Sequence, residues 1–527
     1  MIDLFRLSPA DLERFIALQA RVAQQTNEAV RIKALREYYE GAHPVLLTER
    51  QMEFLGPLVA DDVFTFAHNV TGSVVDTLSE RLSVQGVAVN GVTQAPGGKA
   101  QADAPSPDAQ LSATLWGWWK ANRLDMLEQD MYANALVDGK AFAMVDYDAV
   151  EQRPRIVAHR MDDGDTGIVA HYDPDQPHRI LFASRYFYAF DPLRPSATGT
   201  ARKTVYLPHE IRKYRAGGLQ TSGGVWQPVM DEGDSAWPLP WVDGTGAPLG
   251  VPVVEFANPG GSEIAQLVGL QNALNKTWLD LIAAADQSGF PLMVAEYPNG
   301  QGFANVSSDD DLTGDDELRL APGRLLEIDG GTVRRLEASN LAPMLDVIWA
   351  LVAAVAGISR TPQYYLRPVG GDVPSGEALK QLESGLVARA VKRQRVFGQA
   401  WEDVLQLAVR VAGAFGPLPM VAKPSIDMQW ADASTRNEQV QAQVAEAYKR
   451  LNVPDAQIWL TLGFTPEQIA GFEASAAQKQ AEQVAGIAAA LRVTTTGSTD
   501  NGRASDVVQG RQNGDNGSTQ RSAPLAG

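Results

Sequence analysis

The order of segments between residues 262 and 413 is the feature of this sequence that most constrains its fold. A helix is predicted to begin near Ser262, a residue that can cap it, and to lead into an insert at 290–337 with short strands. An apolar helix returns over Leu341–Ile358, and a Pro- and Gly-rich loop at 359–375 follows it. The chain then continues as a helix over 376–412, which is longer than most globular helices.

The segment Leu341–Ile358 is the most apolar stretch of the chain. It contains Asp346, carries Pro343 near its start, and barely reaches the roughly 18–20 residues that a membrane span needs. We therefore predict a helix that is buried or lies between subunits, and no association with a membrane. A single helix with so apolar a face needs neighbours to cover it.

Charge and residue content limit the classes of function. The 527 residues, enough for several domains, include 63 acidic and 45 basic side chains and carry a net charge of -18. A free acidic surface of this size repels nucleic acid and does not suit a tight phosphate binder. The absence of cysteine excludes disulfides, thiolate metal sites and a cysteine nucleophile. The first residues show no basic segment followed by an apolar run, so no secretory signal is expected.

The remaining segments alternate between helical and extended patterns. Residues 1–139 are predicted to be mainly helical, with one continuous helix from about Pro107 to Val137. Residues 140–260 read as short strands separated by turns rich in Asp, Gly and Pro. Residues 417–430 look extended, and 434–490 read as helices broken at Pro and Gly. The polar tail after residue 493 is predicted to be disordered.

No spacing of residues typical of catalysis is present. The sequence lacks the HExxH, GxSxG and P-loop patterns. His171, Asp173, Asp175 and His178 offer a possible set of metal ligands, but a polar β-turn is the favoured interpretation. We therefore predict no catalytic residue, no metal site and no cofactor.

Two charged runs leave alternatives open. Residues 309–317 have a spacing somewhat like a calcium-binding loop, but Leu320 stands where a bidentate Glu is required, so a solvated loop is favoured. The long helix carries four basic residues: Arg389, Lys392, Arg393 and Arg395. They are candidates for contact with phosphates, although a solvated or subunit-contact face is the favoured interpretation.

Short patterns in a fixed order along residues 30–470 carry a family resemblance. They are Asn69 with Val74-Val75-Asp76 and Glu80-Arg81-Leu82; Ala135-Leu136-Val137-Asp138-Gly139-Lys140-Ala141-Phe142; Gly250-Val251-Pro252-Val253-Val254-Glu255-Phe256 with Asn258; Leu270-Gln271-Asn272-Ala273-Leu274-Asn275-Lys276-Thr277; and Thr361-Pro362, Tyr365-Leu366 and Ser375-Gly376-Glu377-Ala378-Leu379. Each pattern is weak alone. Together with the order of segments at 262–413, they resemble the portal proteins of tailed bacteriophages, in the branch with Gp6-like subunits.

The resemblance implies an α+β portal fold in a dodecameric ring with an axial channel. Its parts would be an α/β wing, a helical stem, a small mostly β clip, a long spine helix and a helical crown. The implied boundaries are wing 1–262, stem helix 263–289, clip 290–337, stem helix 338–359, tunnel loop 360–375, long helix and return strand of the wing 376–430, crown 431–492 and disordered tail 493–527.

The same resemblance implies a position in the virion at one capsid vertex, after synthesis in the host bacterial cytoplasm. Double-stranded DNA would pass through the ring non-specifically during packaging and ejection. The clip would dock the terminase motor and later the head–tail adaptor, and the ring would also contact the major capsid and scaffolding proteins. No enzymatic activity, cofactor or membrane is implied.

Two groups of candidate functional residues follow from these implied roles. The tunnel-loop candidates are Arg360, Tyr364, Tyr365 and Arg367. The arginines would steer phosphates, whereas the tyrosines and Leu366 either touch the duplex or pack the loop on its neighbour. The clip candidates for partner contact are Asp309, Asp310, Asp311, Asp315, Asp316 and Glu317.

Two other classes of function remain as alternatives. A cytosolic multidomain enzyme of an unrecognised type would need a convergent set of titratable groups in one pocket, which the sequence does not indicate. Another capsid or connector component is the second alternative. Adaptor proteins of this class are usually far shorter, and they lack the helix–insert–helix–loop–helix order of residues 262–413.

Overall fold

The computed structural model describes residues 11, 13–15, 27–44, 68–91, 106–190, 199–216, 226–231, 233–289, 293–296, 332–335, 340–367, 376–418, 424–434, 445–462, 468–469, 471–473, 475–476 and 478–485. The chain divides into two compact units, residues 1–446 and 447–527. Each unit is described by itself.

Helices and strands both contribute to the first unit. Its helices are α1 (Asn27–Glu40), α2 (Val70–Ser79), α3 (Pro107–Ala121), α4 (Leu124–Asp138), α5 (Val268–Gly289), α6 (Ala342–Ser359), α7 (Gln363–Leu366) and α8 (Gly376–Phe415). Its strands are β1 (Val84–Asn90), β2 (Lys140–Asp148), β3 (Arg153–Arg160), β4 (Gly167–Asp173), β5 (Gln176–Ala189), β6 (Thr200–Tyr206), β7 (Glu210–Ala216), β8 (Trp226–Pro228), β9 (Leu239–Pro240), β10 (Val253–Ala257), β11 (Met293–Glu296), β12 (Thr332–Arg335) and β13 (Ser425–Trp430).

The strands form four sheets. The largest has the order β4-β5-β6-β7-β8, with β9 paired to β7, and a three-stranded sheet has the order β10-β2-β3. β1 pairs with β13, and β11 pairs with β12. Every pairing between these strands is antiparallel. The described residues therefore have the mixed helical and antiparallel composition of the predicted α+β class.

The long helix α8 forms the centre of the main core. Its buried residues recur at helical spacing, including Leu386, Phe397 and Trp401. The ring of Trp401 contacts those of Trp119 on α3 and Phe256 on β10, with centroids 4.7 and 4.8 Å apart. Its indole nitrogen also donates to the hydroxyl of Tyr132 over 2.9 Å. α8 thereby joins the N-terminal helices to the three-stranded sheet.

The helices α5 and α6 share a second apolar core. Leu274 and Leu281 of α5 are buried with Ile348, Val352 and Val355 of α6. The predicted apolar helix is thus confirmed, with bounds shifted by one residue at each end. Among the described residues, α6 alone is long and apolar enough to cross a membrane by these two criteria, and 28% of it is buried inside the chain. Most of this helix consequently remains accessible in a single copy.

The single helix predicted over residues 107–137 is wrong. The chain breaks at Asn122 and Arg123, and Arg123 adopts a left-handed conformation with φ of 55°. The side chain of Asn122 accepts from the backbone nitrogen of Ile156 and donates to the carbonyl oxygen of Pro154, both over 3.0 Å. These contacts attach the turn to β3, so α3 and α4 pack as two separate helices.

The predicted start of the next helix at Ser262 is also wrong, because regular helical structure begins at Val268. Residues 258–261 form a turn closed by a hydrogen bond from the backbone nitrogen of Gly261 to the carbonyl oxygen of Asn258. Ser262 follows that turn and is 7% exposed, and its hydroxyl oxygen has no partner among the described residues. It therefore does not cap α5.

The turn after α4 supports a prediction on stability. Gly139 has φ of 95°, and a Cβ added there would lie 3.2 Å from the Cα of Gly261 and the backbone nitrogen of Ser262. Gly139→Ala is expected to lower the free energy of unfolding by about 1–2 kcal/mol, because the left-handed conformation penalises a side chain. Urea denaturation measures the change.

The control for that prediction is Gly117→Ala within α3, where an added Cβ meets no atom within 4 Å. Replacing a helix-interior glycine with alanine should raise the free energy of unfolding by roughly 0.5–1 kcal/mol. Equal effects of the two substitutions would contradict the role assigned to the backbone conformation of Gly139.

The second unit contains the helix α9 (Asp455–Thr461). Ile458 and Ile469 are buried, and the rings of Trp459 and Phe472 meet edge to face with centroids 5.4 Å apart. The boundaries of the predicted crown at 431–492 stay a prediction. The predicted disordered tail at 493–527 lies outside the described residues.

Candidate functional site

The first half of the loop predicted at 359–375 is folded. Helix α6 ends at Ser359, and Arg360 turns the chain with φ of 52°. Thr361 is 3% exposed, and α7 follows over four residues and ends with the buried Leu366. The prediction of a loop is therefore wrong for residues 363–366, which form a helix. Residues 368–375 lie outside the described residues.

The two tyrosines of α7 are held by one carboxylate of the long helix. The hydroxyls of Tyr364 and Tyr365 both donate to Oε1 of Glu383 on α8, over 2.5 and 3.0 Å. Arg81 donates to the Tyr365 hydroxyl over 2.6 Å and lies 3.3 Å from the same carboxylate oxygen. Burial and the hydrogen bond to Glu383 raise the pKa of Tyr364. Both hydroxyls thus point toward their own chain, an arrangement that the sequence did not indicate.

The two arginines of the predicted tunnel loop differ in environment. The guanidinium of Arg367 lies over the ring of Trp349 on α6, 4.4 Å from its centroid. Such a cation–π contact fixes a side chain without neutralising its charge. Arg360 is exposed and forms no ion pair with another described residue. Contact of Arg360, Tyr364, Tyr365 and Arg367 with DNA stays a prediction.

A buried ion-pair cluster connects α8 to the turn before α5. Glu263 lies 2.6 Å from the guanidinium of Arg389 and also pairs with Arg393. Arg389 donates to the carbonyl oxygen of Ser359, the last residue of α6, and Arg393 donates to Asn258 over 3.2 Å. One carboxylate therefore fixes the relative positions of α8, α6 and the turn at 258–263.

This cluster corrects the interpretation of the basic run on α8. Arg389 and Arg393 are 8% and 6% exposed, so they form neither a solvated face nor a surface for phosphates. Lys392 and Arg395 are exposed, which agrees with the favoured interpretation of a solvated or subunit-contact face. The reason is the helical spacing, which places Arg389 and Arg393 on the same side of α8 as the core residue Phe397.

The charge state of the cluster follows from two opposing effects. Burial alone would raise the pKa of Glu263, but the positive charges of Arg389 and Arg393 outweigh it and hold that pKa below its ordinary value. Burial lowers the pKa of Arg389, while Glu263 opposes that change. Because an arginine stays protonated near neutral pH, the cluster carries two positive charges and one negative charge.

The other predicted sites are not assembled within the described residues. The ring of His171 stacks on Phe182 with centroids 4.2 Å apart, and Asp173 lies 3.8 Å from Arg179. No group of three His, Asp or Glu side chains that could hold a metal occurs in the part of the chain that the structure describes. The clip candidates Asp309, Asp310, Asp311, Asp315, Asp316 and Glu317 lie outside the described residues.

Comparison with known proteins gives matches along most of the chain. Residues 20–484 match the sequence profile of the family described as "Phage portal protein, SPP1 Gp6-like". The chain is 25% identical over 451 residues to the portal protein of Mycobacterium phage D29, covering 82% of this chain and 81% of that protein. It is also 25% identical over 388 residues to the portal protein of Mycobacterium phage L5, covering 70% of each.

Two of the solved structures that match the chain come from the neck of a GTA particle. A chain in the neck of the empty particle, computed with C6 symmetry, matches with 12% identity and a TM-score of 0.39, covering 81% of this chain and 96% of that one. A chain in the neck of the native particle, computed with C12 symmetry, matches with 13% identity and a TM-score of 0.36, covering 83% of this chain and 99% of that one.

Proposed function

The chain belongs to the SPP1 Gp6-like phage portal family, and we propose that it forms a closed ring at one capsid vertex through which double-stranded DNA enters and leaves. Portal proteins are structural components of the phage particle, so we infer a structural role and no enzymatic one. A ring of twelve copies is the expected state, as the family resemblance implies.

The accessible apolar face of α6 is the observation that supports assembly most directly. Val347 and Ile358, which lie about three turns apart on one side of α6, are 51% and 53% exposed, and Leu345 on another side is 37% exposed. Burying a valine, leucine or isoleucine side chain stabilises a protein by about 1.5–3 kcal/mol. These side chains are already roughly half buried, so a neighbouring copy that covers them would recover about half of that energy for each. Cyclic closure would do so for every copy.

The proposed channel surface lies near the junction of α6 and α7. Arg360 is exposed at the end of α6, and Arg367 keeps its charge over Trp349. A few such cations would steer phosphates, while the overall charge of -18 disfavours tight binding to DNA. A conduit of this kind holds the duplex weakly enough for it to slide.

Contact with other components of the particle is proposed for the acidic residues 309–317. A cluster of acidic side chains would select partners with complementary basic surfaces. We propose that the terminase motor docks there during packaging and that the head–tail adaptor replaces it afterwards. Contacts with the major capsid and scaffolding proteins are also part of the proposal.

Electron microscopy of the purified chain tests the proposed assembly. Averages of particles seen along their axis are expected to show a ring with a central hole and uniform rotational symmetry, near twelvefold. Monomers or dimers without a channel, at every concentration tried, would refute the proposal and favour the enzyme alternative.

The segment after Arg367 supports a prediction on DNA passage. Residues 368–375 are to be replaced by a Gly- and Ser-rich linker of the same length, which leaves the buried Thr361 and Leu366 in place. Rings should still assemble, whereas the amount of DNA packaged per particle should fall several-fold. Nuclease protection measures the packaged DNA.

The control for that replacement places a linker of the same composition in the turn at 149–150, between β2 and β3. It should leave both assembly and packaging unchanged. Normal packaging by the variant with the replaced 368–375 segment would contradict the proposed role of this segment in the channel.

A further inference from the structure

A cavity of about 260 Å³ lies beside the buried ion-pair cluster. Its walls are the turn at 259–263, the end of α6 at 358–360, and the side of α8 that carries residues 388–393. Ligand sites for drug-sized molecules have volumes of roughly 300–1,000 Å³, so this cavity suits a smaller group, such as one or two side chains.

The cavity has an excess of positive charge. Its charged lining residues are Arg360, Arg389, Lys392, Arg393 and Glu263. The carboxylate of Glu263 already forms ion pairs with Arg389 and Arg393. Arg360 and Lys392, in contrast, form no ion pair with another described residue. Four cationic groups around one carboxylate leave a net attraction for an additional anion.

An unsatisfied polar group adjoins this charge. Ser262 lines the cavity and is 7% exposed, and its hydroxyl oxygen has no hydrogen-bond partner among the described residues. Buried polar side chains in folded proteins nearly always have a partner, and leaving one without costs about 1–3 kcal/mol. A hydroxyl in this position can donate to an oxyanion, which would remove that cost.

We propose that this cavity receives the carboxylate of an Asp or Glu side chain from a second copy of the chain, held by Lys392, Arg360 and Ser262. The inference rests on the proposed ring. Two observations favour a second copy as the source. Ile358 lines the cavity and is also part of the exposed apolar face of α6. In addition, each copy has 63 acidic against 45 basic side chains, so it offers many carboxylates.

Zero-length crosslinking with a carbodiimide tests the proposal, because this reagent joins a lysine amine to a carboxylate in direct contact. Rings are assembled from equal amounts of unlabelled and ¹⁵N-labelled chains, crosslinked and digested. We expect crosslinked peptide pairs that contain Lys392 and combine one light with one heavy peptide. Such pairs identify the acidic partner and show that it belongs to another copy.

The matched control is Lys392→Arg, which keeps the positive charge and removes the reactive amine. It should form rings normally and lose the crosslink. Lys392→Gln removes the charge and should raise the concentration needed for ring assembly several-fold. Lys120, an exposed lysine on α3, reports the background level of crosslinks.

Four outcomes would overturn the inference. Rings without mixed-isotope crosslinks at Lys392, or with crosslinks only inside one copy, refute this inference and leave the proposed ring intact. A chain that never assembles refutes both. If millimolar inorganic phosphate protects Lys392 of the monomer from acylation as strongly as assembly does, the cavity takes free phosphate instead of a carboxylate.

Discussion

Glu263→Gln is expected to lower the free energy of unfolding by about 3–5 kcal/mol at neutral pH, because it leaves two buried guanidinium groups without a counter-charge. Arg389 and Arg393 are each less than 10% exposed, so solvent cannot replace the lost carboxylate. The glutamine is nearly isosteric and retains a carbonyl oxygen, so the loss measures charge more than packing. Urea denaturation of monomeric protein measures it.

The control for this prediction is Glu151→Gln. Glu151 lies 4.0 Å from Arg153, and its side chain is 62% exposed, which is typical of a surface ion pair. Such pairs contribute about 0–1 kcal/mol. A loss at Glu263 no larger than the loss at Glu151 would contradict the view that one buried carboxylate joins α8, α6 and the turn at 258–263.

The effect of Glu263→Gln should depend on pH in a defined direction. Because the two arginines hold the pKa of Glu263 below its ordinary value of 4.5, its stabilisation is fully present above that value. It is lost as the pH falls through the lower pKa of the folded state. The difference between wild type and variant should therefore shrink on acidification below about pH 4.5 and stay constant between pH 6 and 8.

Local sequence patterns predicted the long elements well. Apolar residues at helical spacing located α6 and α8, with errors of at most a few residues at their ends, and the extended pattern predicted from residue 140 onward included β2. The type and position of these elements follow from their local sequence, because a long periodic segment has one apolar face to bury. The family resemblance, built on short patterns along the chain, was confirmed by the match over residues 20–484.

Contacts between distant segments could not be predicted in this way. β1 pairs with β13 across more than 300 residues, and Glu263 meets Arg389 from a separate segment. Nothing in the local pattern specifies such a partner. One signal was nevertheless present, since Arg389 and Arg393 lie at helical spacing with the apolar Leu386 and Phe397. A charged residue on an apolar face indicates a buried ion pair, even where its partner is unknown.

Val347→Asp is expected to abolish ring assembly while leaving the single chain folded. Val347 is 51% exposed on α6, so a carboxylate there remains solvated in a monomer. Surface substitutions of this kind change the free energy of unfolding by about 0.5 kcal/mol or less. In a ring, the same carboxylate would lie in an apolar interface and remain unpaired.

The expected loss per interface has two parts. Val347 is 51% exposed in a single chain, so removing it forfeits about half of the 1.5–3 kcal/mol for full burial, which corresponds to roughly fourfold to tenfold weaker association. Burying the unpaired charge adds several kcal/mol more. Since each copy in a closed ring contributes to two interfaces, the penalty applies at every contact and disfavours closure cooperatively. Sedimentation velocity and native mass spectrometry measure the loss of the ring.

Val150→Asp provides the matched control, because Val150 is 90% exposed and belongs to the turn between β2 and β3. The same substitution at this position should leave both stability and assembly unchanged. Rings formed normally by Val347→Asp would mean that this side of α6 faces water in the assembly, in the channel or outside it. Ile358 follows Val347 by about three helical turns and lies on the same side of α6, whereas Leu345 lies on another side. The cover for α6 would then have to come from the side of Leu345, which Leu345→Asp would test.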